Sequence, residues 1–241
     1  MSALLHVENI SKRFGGFAAL DRVSFSLDQG ERFGIIGPNG SGKTTLMNCI
    51  GGALYGDSGS IRFNGTDITR MPAWRRARMG IGRSFQVPRP FASLSVVDNV
   101  CVAIEYAAGQ SRHAKHAPRE QALAILEHMH LARKTDEPAG SLTQVELRKL
   151  ELARALATRP QILILDEVMA GLSAAEVDEM LDIVMDINTA GVTIIMIEHI
   201  MRAIMGFSSR MMCLDAGTII AEGAPDAIVN NDAVRRIYLG A

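Results

Sequence analysis

The chain has little that would tie it to an oxidising compartment or to a lipid bilayer. Its three cysteines, Cys49, Cys101 and Cys213, stand far apart and form no Cys-x-x-Cys pair. A reducing, cytoplasmic setting is the simplest expectation from that usage. No apolar run approaches the roughly 20 residues that a membrane-spanning helix requires. The first residues, Met1-Ser2-Ala3-Leu4-Leu5-His6-Val7-Glu8, lack a basic segment followed by an apolar one, so no signal peptide is expected. Membrane contact is therefore expected to come through a protein partner or the surface. An excess of charge of one sign is also missing. Lys plus Arg is 25, Asp plus Glu is 26, and the net charge is −1. That balance sets nucleic acid aside as a main partner, although a local basic patch stays possible. No internal repeat is found.

What is present is organised around Gly37-Pro38-Asn39-Gly40-Ser41-Gly42-Lys43-Thr44-Thr45. The stretch fits G-x-x-x-x-G-K-[ST], a phosphate-binding P-loop. Glycines let the backbone take positive φ and bring its N–H groups close to phosphate oxygens. Lys43 places a cation on the β- and γ-phosphates, and the Thr44 hydroxyl is a ligand for Mg²⁺. Residues 33–36 before the loop read as a short buried strand, and residues 44–50 after it read as a helix. An anion held between them would sit at a helix N-terminus, where the dipole favours negative charge.

With 241 residues the chain can form one large domain or two lobes with a real core. Alternation predicts strands over 4–10 and 23–27, with a turn over 11–16 that carries Phe14. Further strands are expected at 60–63 and from Gly80 towards Gln86, with a short helix over 72–78 between them. Residues 96–108, 119–129 and 146–158 read as helices, the last opened by the capping-box pair Thr143 and Glu146. The basic loop over 109–118 is read as a solvated connector. Residues 161–166 and 192–197 are buried strands, 173–188 and 200–207 are helices, and 211–214 with 218–222 form a hairpin. Met201 and Met205 are read as core filler rather than a metal box. Strands alternating with helices imply a mainly parallel, wound α/β sheet. The helical block over about 96–159 interrupts the alternation and is read as an inserted lobe.

A P-loop alone admits kinases, GTPases and many ATPases. Asp166-Glu167 narrows the field. Asp166 ends an apolar strand, where it can hold Mg²⁺ through water, and Glu167 follows on the loop. A carboxylate beside the γ-phosphate can orient and deprotonate an attacking water.

These segments together resemble the nucleotide-binding domains of ABC transporters. Gly37 to Thr45, Phe85-Gln86, Leu152-Ala153-Arg154-Ala155-Leu156, Ile162 to Glu167, Ala170-Gly171-Leu172-Ser173 and Glu198-His199 follow that family's order and approximate spacing. The resemblance spans essentially the whole chain. It implies a single nucleotide-binding domain over 1–241, an α/β P-loop NTPase fold. Residues 1–95 and 160–241 would form a RecA-like core with an antiparallel β subdomain. Residues 96–159 would form the helical subdomain. It implies that ATP and Mg²⁺ are bound, with Gln86 sensing metal and γ-phosphate, Asp166 holding the metal and Glu167 acting as general base. His199 would be the switch histidine at the γ-phosphate, and Gly171 to Ser173 would cross to a second subunit. Phe14 is the expected adenine platform, with Phe17 as its competitor.

One motif departs from the family. Where Leu-Ser-Gly-Gly-Gln is expected, the chain reads Leu142-Thr143-Gln144-Val145-Glu146. Thr143 can replace the serine hydroxyl, but both glycines are gone and β-branched Val145 resists positive φ. Glu146 brings a negative charge, which capping would tie to the Thr143 backbone. In this family the motif serves the ATP of the opposite subunit. The departure therefore motivates a heterodimer in which a second ATPase supplies a full signature; the alternative is a homodimer in which Thr143 and backbone N–H groups at the helix N-terminus suffice to bind phosphate.

Three segments resemble one importer subfamily, the ATPases for branched-chain (hydrophobic) amino acids. They are Phe14 to Asp21, Gly82 to Gln86 with Pro90-Phe91, and Glu222 to Pro225 with Tyr238-Leu239-Gly240. That resemblance implies two ATPases, two membrane permeases and a periplasmic binding protein, with this chain peripheral on the cytoplasmic face of the inner membrane. Urea and short-amide importers share these features, and the lipopolysaccharide-export ATPase shares fewer. Pro88-Arg89-Pro90-Phe91 is the expected docking loop for a permease helix, with Phe91 as an apolar anchor. Rival classes fit less well. No Asn-Lys-x-Asp base-reading motif of a GTPase is present, and a small kinase would lack Glu198-His199. A soluble translation or repair ATPase of this family would carry two P-loops or a long coiled-coil insert.

Overall fold

The computed structural model describes residues 3–84, 88–108 and 117–239. Gln86, with Phe85, and the basic loop over 109–116 lie outside them.

The first strand, β1 (Leu5–Phe14), stays extended past the turn expected over 11–16. It returns through Gly15 and Gly16 into β2 (Phe17–Leu27), which likewise starts earlier than the 23–27 alternation suggests. Gly15 takes φ +58° in the two-residue turn, and Phe14 pairs with Phe17 across it. The extension is hidden in the sequence because the hairpin tip is exposed on both faces and the register shifts after Val7 and around Lys12. Each shift breaks the period-2 signal. β4 (Ser58–Phe63) and β5 (Thr66–Asp67) complete an antiparallel sheet ordered β2-β1-β4-β5.

A second sheet carries the chemistry. Its strands are β3 (Arg32–Ile36), β6 (Ile81–Arg83), β7 (Ile162–Asp166), β8 (Thr193–Ile197), β9 (Arg210–Asp215) and β10 (Thr218–Gly223). The order is β10-β9-β3-β8-β7-β6, with only β10 antiparallel. All five residues of β7 are buried. Ile162 and Ile164 face the core shared with the antiparallel sheet, and Leu163 and Leu165 face the core shared with the helices. A strand covered on both faces gives an apolar run without alternation. Each such side chain contributes roughly 1.5–3 kcal/mol.

Helix α1 (Lys43–Gly51) follows the P-loop, and α2 (Ala73–Met79) packs at its far end. Fully buried Arg76 of α2 donates from Nη1 to the Cys49 and Ile50 carbonyls at 2.6 and 2.8 Å. A cation is thereby held on the negative end of the helix whose positive end faces the phosphate site.

Helices α3 (Val96–Ala108), α4 (Pro118–His128) and α5 (Gln144–Ala157) form the helical block between β6 and β7. Its buried side chains, among them Val100, Leu126 and Leu150, are continuous with those of β7, β8 and α6 (Ala174–Thr189). The block thus has no separate core of its own. A third, smaller cluster joins Ile36 and Met211 to α7 (Met201–Phe207), α8 (Pro225–Val229) and α9 (Asp232–Leu239). Met201 and Met205 pack against this cluster, as filler should.

Candidate functional site

Strand order explains why residues distant in sequence meet. Ile35 of β3, Ile197 of β8 and Asp166 of β7 stand level across the sheet. The chain leaves these strands at their C-terminal ends into the P-loop, Glu198-His199 and Glu167. Because β8 lies between β3 and β7, the histidine loop is set between the phosphate loop and the carboxylate.

The P-loop is shaped by contacts that exclude side chains. A Cβ on Gly37, at φ +149°, would come within 2.1 Å of the Leu214 carbonyl oxygen. One on Gly42, at φ +105°, would come within 2.4 Å of the Ala19 carbonyl oxygen. Gly42 is also the N-cap of α1 and supplies no side-chain hydrogen bond, so the first-turn amides point at whatever fills the loop. Lys43 is buried and donates to the carbonyls of Gly37 at 2.7 Å and Pro38 at 2.8 Å. Burial lowers its pKa, while Glu167 and Asp166 oppose that shift.

A cavity of about 220 Å³ opens over the loop. Asn39, Gly40, Ser41, Gly42, Lys43, Thr44 and Thr45 line it, together with Glu167, Phe14 and Phe17. Both phenylalanines are half exposed, at 50% and 58%. The hairpin turn brings them to the same mouth, where Phe14 is the expected platform for a base and Phe17 competes with it.

Glu167 sits at φ +51°, a conformation that is unusual for a residue with a side chain. Its N–H donates to the Ile197 carbonyl at 2.9 Å, and its Oε1 lies 2.8 Å from His199 Nε2. Strand β8 thus pins the backbone of Glu167, and the loop that follows it pins the carboxylate through His199. Asp166 is buried, and its Oδ2 accepts from Arg83 Nη2 at 2.9 Å. Arg83 also donates to Asn48 of α1 at 2.5 Å, tying β6, β7 and α1 into one network.

Thr143 lies elsewhere, in front of α5. Its Oγ1 accepts from the Glu146 N–H at 3.4 Å, and its own N–H donates to Glu146 Oε2 at 2.8 Å. Lys134 pairs with the same carboxylate at 2.9 Å. Burial alone would raise the Glu146 pKa, but Lys134 and Thr143 outweigh it and hold it low. Val145 takes its place in the first turn of α5 rather than in a loop. Gln86 lies outside the described residues.

Two residues beside the site carry no role that sequence alone assigns. Arg83 is visible there only as part of Gly82-Arg83-Ser84. Glu198, the neighbour of His199, is 3% exposed and accepts the Met169 N–H at 2.9 Å. Burial pushes its pKa up to about 7, reinforced by Glu167 and opposed by the Met169 and His199 amides and Arg148. A carboxylate at the end of an apolar strand is the sequence signal for such a group.

A phosphate loop, two half-exposed phenylalanines and a carboxylate on one cavity define a P-loop nucleotide-binding protein. The family model described as ABC transporter matches residues 20–170, and the chain belongs to that family as an ATP-binding cassette ATPase. A second model, described as branched-chain amino acid ATP-binding cassette transporter, matches residues 218–241. Over 246 residues the chain is 35% identical to the probable branched-chain amino acid transport ATP-binding protein LivG of Archaeoglobus fulgidus, covering 99% of this chain and 96% of that one. It is 36% identical over 249 residues to the high-affinity branched-chain amino acid transport ATP-binding protein LivG of Salmonella typhimurium, covering 98% of both. The solved ADP conformation of MJ1267, an ATP-binding cassette of an ABC transporter, matches the whole of both chains with a TM-score of 0.89 at 32% identity. Among the described residues no helix is long and apolar enough to cross a membrane.

Proposed function

We propose that the chain couples ATP hydrolysis to the import of branched-chain or other hydrophobic amino acids. The observation that carries this reading is the single cavity shared by the P-loop and Glu167, in a chain similar end to end to ATPases named for that transport. Residues 37–45 hold the phosphates of ATP. Lys43 has three N–H donors, of which Gly37 and Pro38 take two, leaving one for a phosphate oxygen. Glu167 accepts the proton of the attacking water, and His199 keeps that carboxylate aimed while facing the γ-phosphate. Gln86 joins this set as the sensor of metal and γ-phosphate.

Thr44 and Asp166 would hold Mg²⁺. A hydroxyl and a carboxylate are the hard oxygen donors the ion prefers, and Arg83 on Asp166 Oδ2 leaves acceptor capacity for a metal-bound water. Among the described residues no three His, Cys, Asp or Glu gather as a metal cage, which suits an ion held partly by substrate phosphates. Bound there, Mg²⁺ would neutralise charge on the phosphate oxygens.

The working unit is a dimer of cassettes under two permeases, fed by a periplasmic binding protein and seated on the cytoplasmic face of the membrane. The chain is one nucleotide-binding domain, with 96–159 as its helical lobe. A heterodimer is favoured because the Thr143–Glu146 capping box already occupies the α5 N-terminus that would otherwise reach a neighbour's ATP, with the Glu146 carboxylate held there by Lys134. The permease docks in the apolar groove of about 540 Å³ between α2 and the helical block, where Phe91, Trp74 and Tyr106 are exposed. Arg154 lies 5.2 Å from the Phe91 ring and donates to the Arg89 carbonyl at 2.8 Å, which preorganises the anchor.

The test is uptake of labelled leucine, isoleucine and valine in cells lacking the chain, complemented with wild type or Glu167→Gln. Restoration by wild type alone is expected. Unchanged amino-acid uptake with lost urea or short-amide uptake would move the assignment to that importer class. Capture of wild type and Phe91→Ala from native membranes tests the partners. Two permeases and a second ATPase should accompany wild type and be depleted from the variant. An undiminished complex with Phe91→Ala would remove the docking assignment, and recovery without a second ATPase would remove the heterodimer.

A further inference from the structure

The last helix reaches the phosphate loop. The Gly37 N–H donates to Tyr238 Oη at 2.6 Å, across 201 positions of sequence. Gly37 is thereby held from both sides, because its carbonyl accepts the Lys43 ammonium at 2.7 Å. Its α-carbon lies against the Leu214 carbonyl, so the residue has no room to shift that way. Helix α9 is itself docked. Val234 is 3% exposed and packs with Ile36, the residue just before Gly37, and with Ile228 of α8. Tyr238 is 43% exposed as a whole, and a phenol is protonated at neutral pH, so its oxygen can accept from Gly37 as a neutral hydroxyl.

We propose that the C-terminal helix is part of the nucleotide site, with Tyr238 a positioning residue that fixes the near limb of the P-loop through Gly37 and thereby sets nucleotide affinity. The inference rests on the reading of residues 37–45 as the phosphate site. Tyr238 does not touch phosphate. It holds the Ile36–Gly37 peptide plane, and the adjoining Gly37–Pro38 plane carries the carbonyl that anchors Lys43. Without the hydroxyl, the amide loses its acceptor and the limb gains freedom that nucleotide binding must then remove. The cost appears in affinity rather than in the chemical step, because Glu167 is held by Ile197 of β8 and by His199 rather than by α9.

The experiment is calorimetric titration of the full chain with MgADP for wild type, Tyr238→Phe, Val234→Ala and Lys43→Ala, with the thermal midpoint of each measured without nucleotide. Tyr238→Phe keeps the ring and removes the acceptor. It should weaken MgADP binding about three- to tenfold, the scale of one hydrogen bond. Val234→Ala loosens the helix without touching the hydroxyl and should shift affinity in the same direction. A Tyr238→Phe protein with a lowered midpoint but an affinity within twofold of wild type would assign Tyr238 to the fold alone and overturn the proposal. Lys43→Ala should lose measurable binding. Wild-type affinity in Lys43→Ala would instead overturn the phosphate-site reading on which the proposal rests.

Discussion

Glutamine in place of Glu198 should remove a pH-dependent loss of stability from the protein. The carboxyl stands at the C-terminal end of β8, 3% exposed. Burial is the main reason its pKa is pushed from 4.5 up to about 7, with the Glu167 carboxylate adding to the shift. Between those two values the native protein keeps a proton that the unfolded chain has released. Stability therefore falls as pH rises through this window, by roughly 1.4 kcal/mol per unit and about 3 kcal/mol in all. Glutamine does not ionise, yet its side-chain carbonyl can still accept the Met169 N–H that Glu198 accepts at 2.9 Å. The unfolding free energy of Glu198→Gln relative to wild type should accordingly rise by about 3 kcal/mol from pH 4.5 to pH 8. Urea denaturation of both proteins across this range measures the difference. Parallel pH profiles would show that Glu198 is ionised in the native state at neutral pH, and the burial argument would fail.

The other predictions concern the rim and the altered signature. Phe14→Ala should weaken ATP binding by roughly tenfold, the order expected for one base–aromatic stack, with Phe17→Ala close to wild type. Titration with MgATP decides between them, and the reverse ranking would make Phe17 the platform. Thr143→Ala should cost about 1 kcal/mol of stability through the lost cap while leaving nucleotide affinity unchanged, since Thr143 is absent from the cavity wall. Denaturation and titration of that variant check both halves, and a weakened affinity would mean that the signature acts on this chain's own site.

Much of the catalytic layout was legible because local chemistry dictates it. Phosphate binding needs glycines and a lysine at fixed spacing, and a fully covered strand needs an unbroken apolar run, so Gly37 to Thr45 and Ile162 to Glu167 announce themselves. The Thr143–Glu146 capping box was legible for the same reason, since it is a contact three residues long. Features made by long-range packing were not. The exposed tips of β1 and β2 carry no core face, and their bulges erase the alternation that would mark a strand. Arg83 meets Asp166 only because β6 and β7 are neighbours in the sheet. The burial of Glu198 depends on the loop that packs over β8. Nothing near Tyr238 in sequence announces Gly37 as its partner.

Glu167, held at the mouth of the phosphate loop by β8 and His199, is the group proposed to perform the proton transfer of ATP hydrolysis. Glu167→Gln in the isolated transporter complex tests it directly, with MgATP binding and phosphate release measured on the same preparation. Near-wild-type MgATP affinity is expected, with turnover reduced by about 10²–10⁴-fold, the range for losing a general base. Unchanged turnover with intact binding would contradict it and would require the attacking water to be activated by another group.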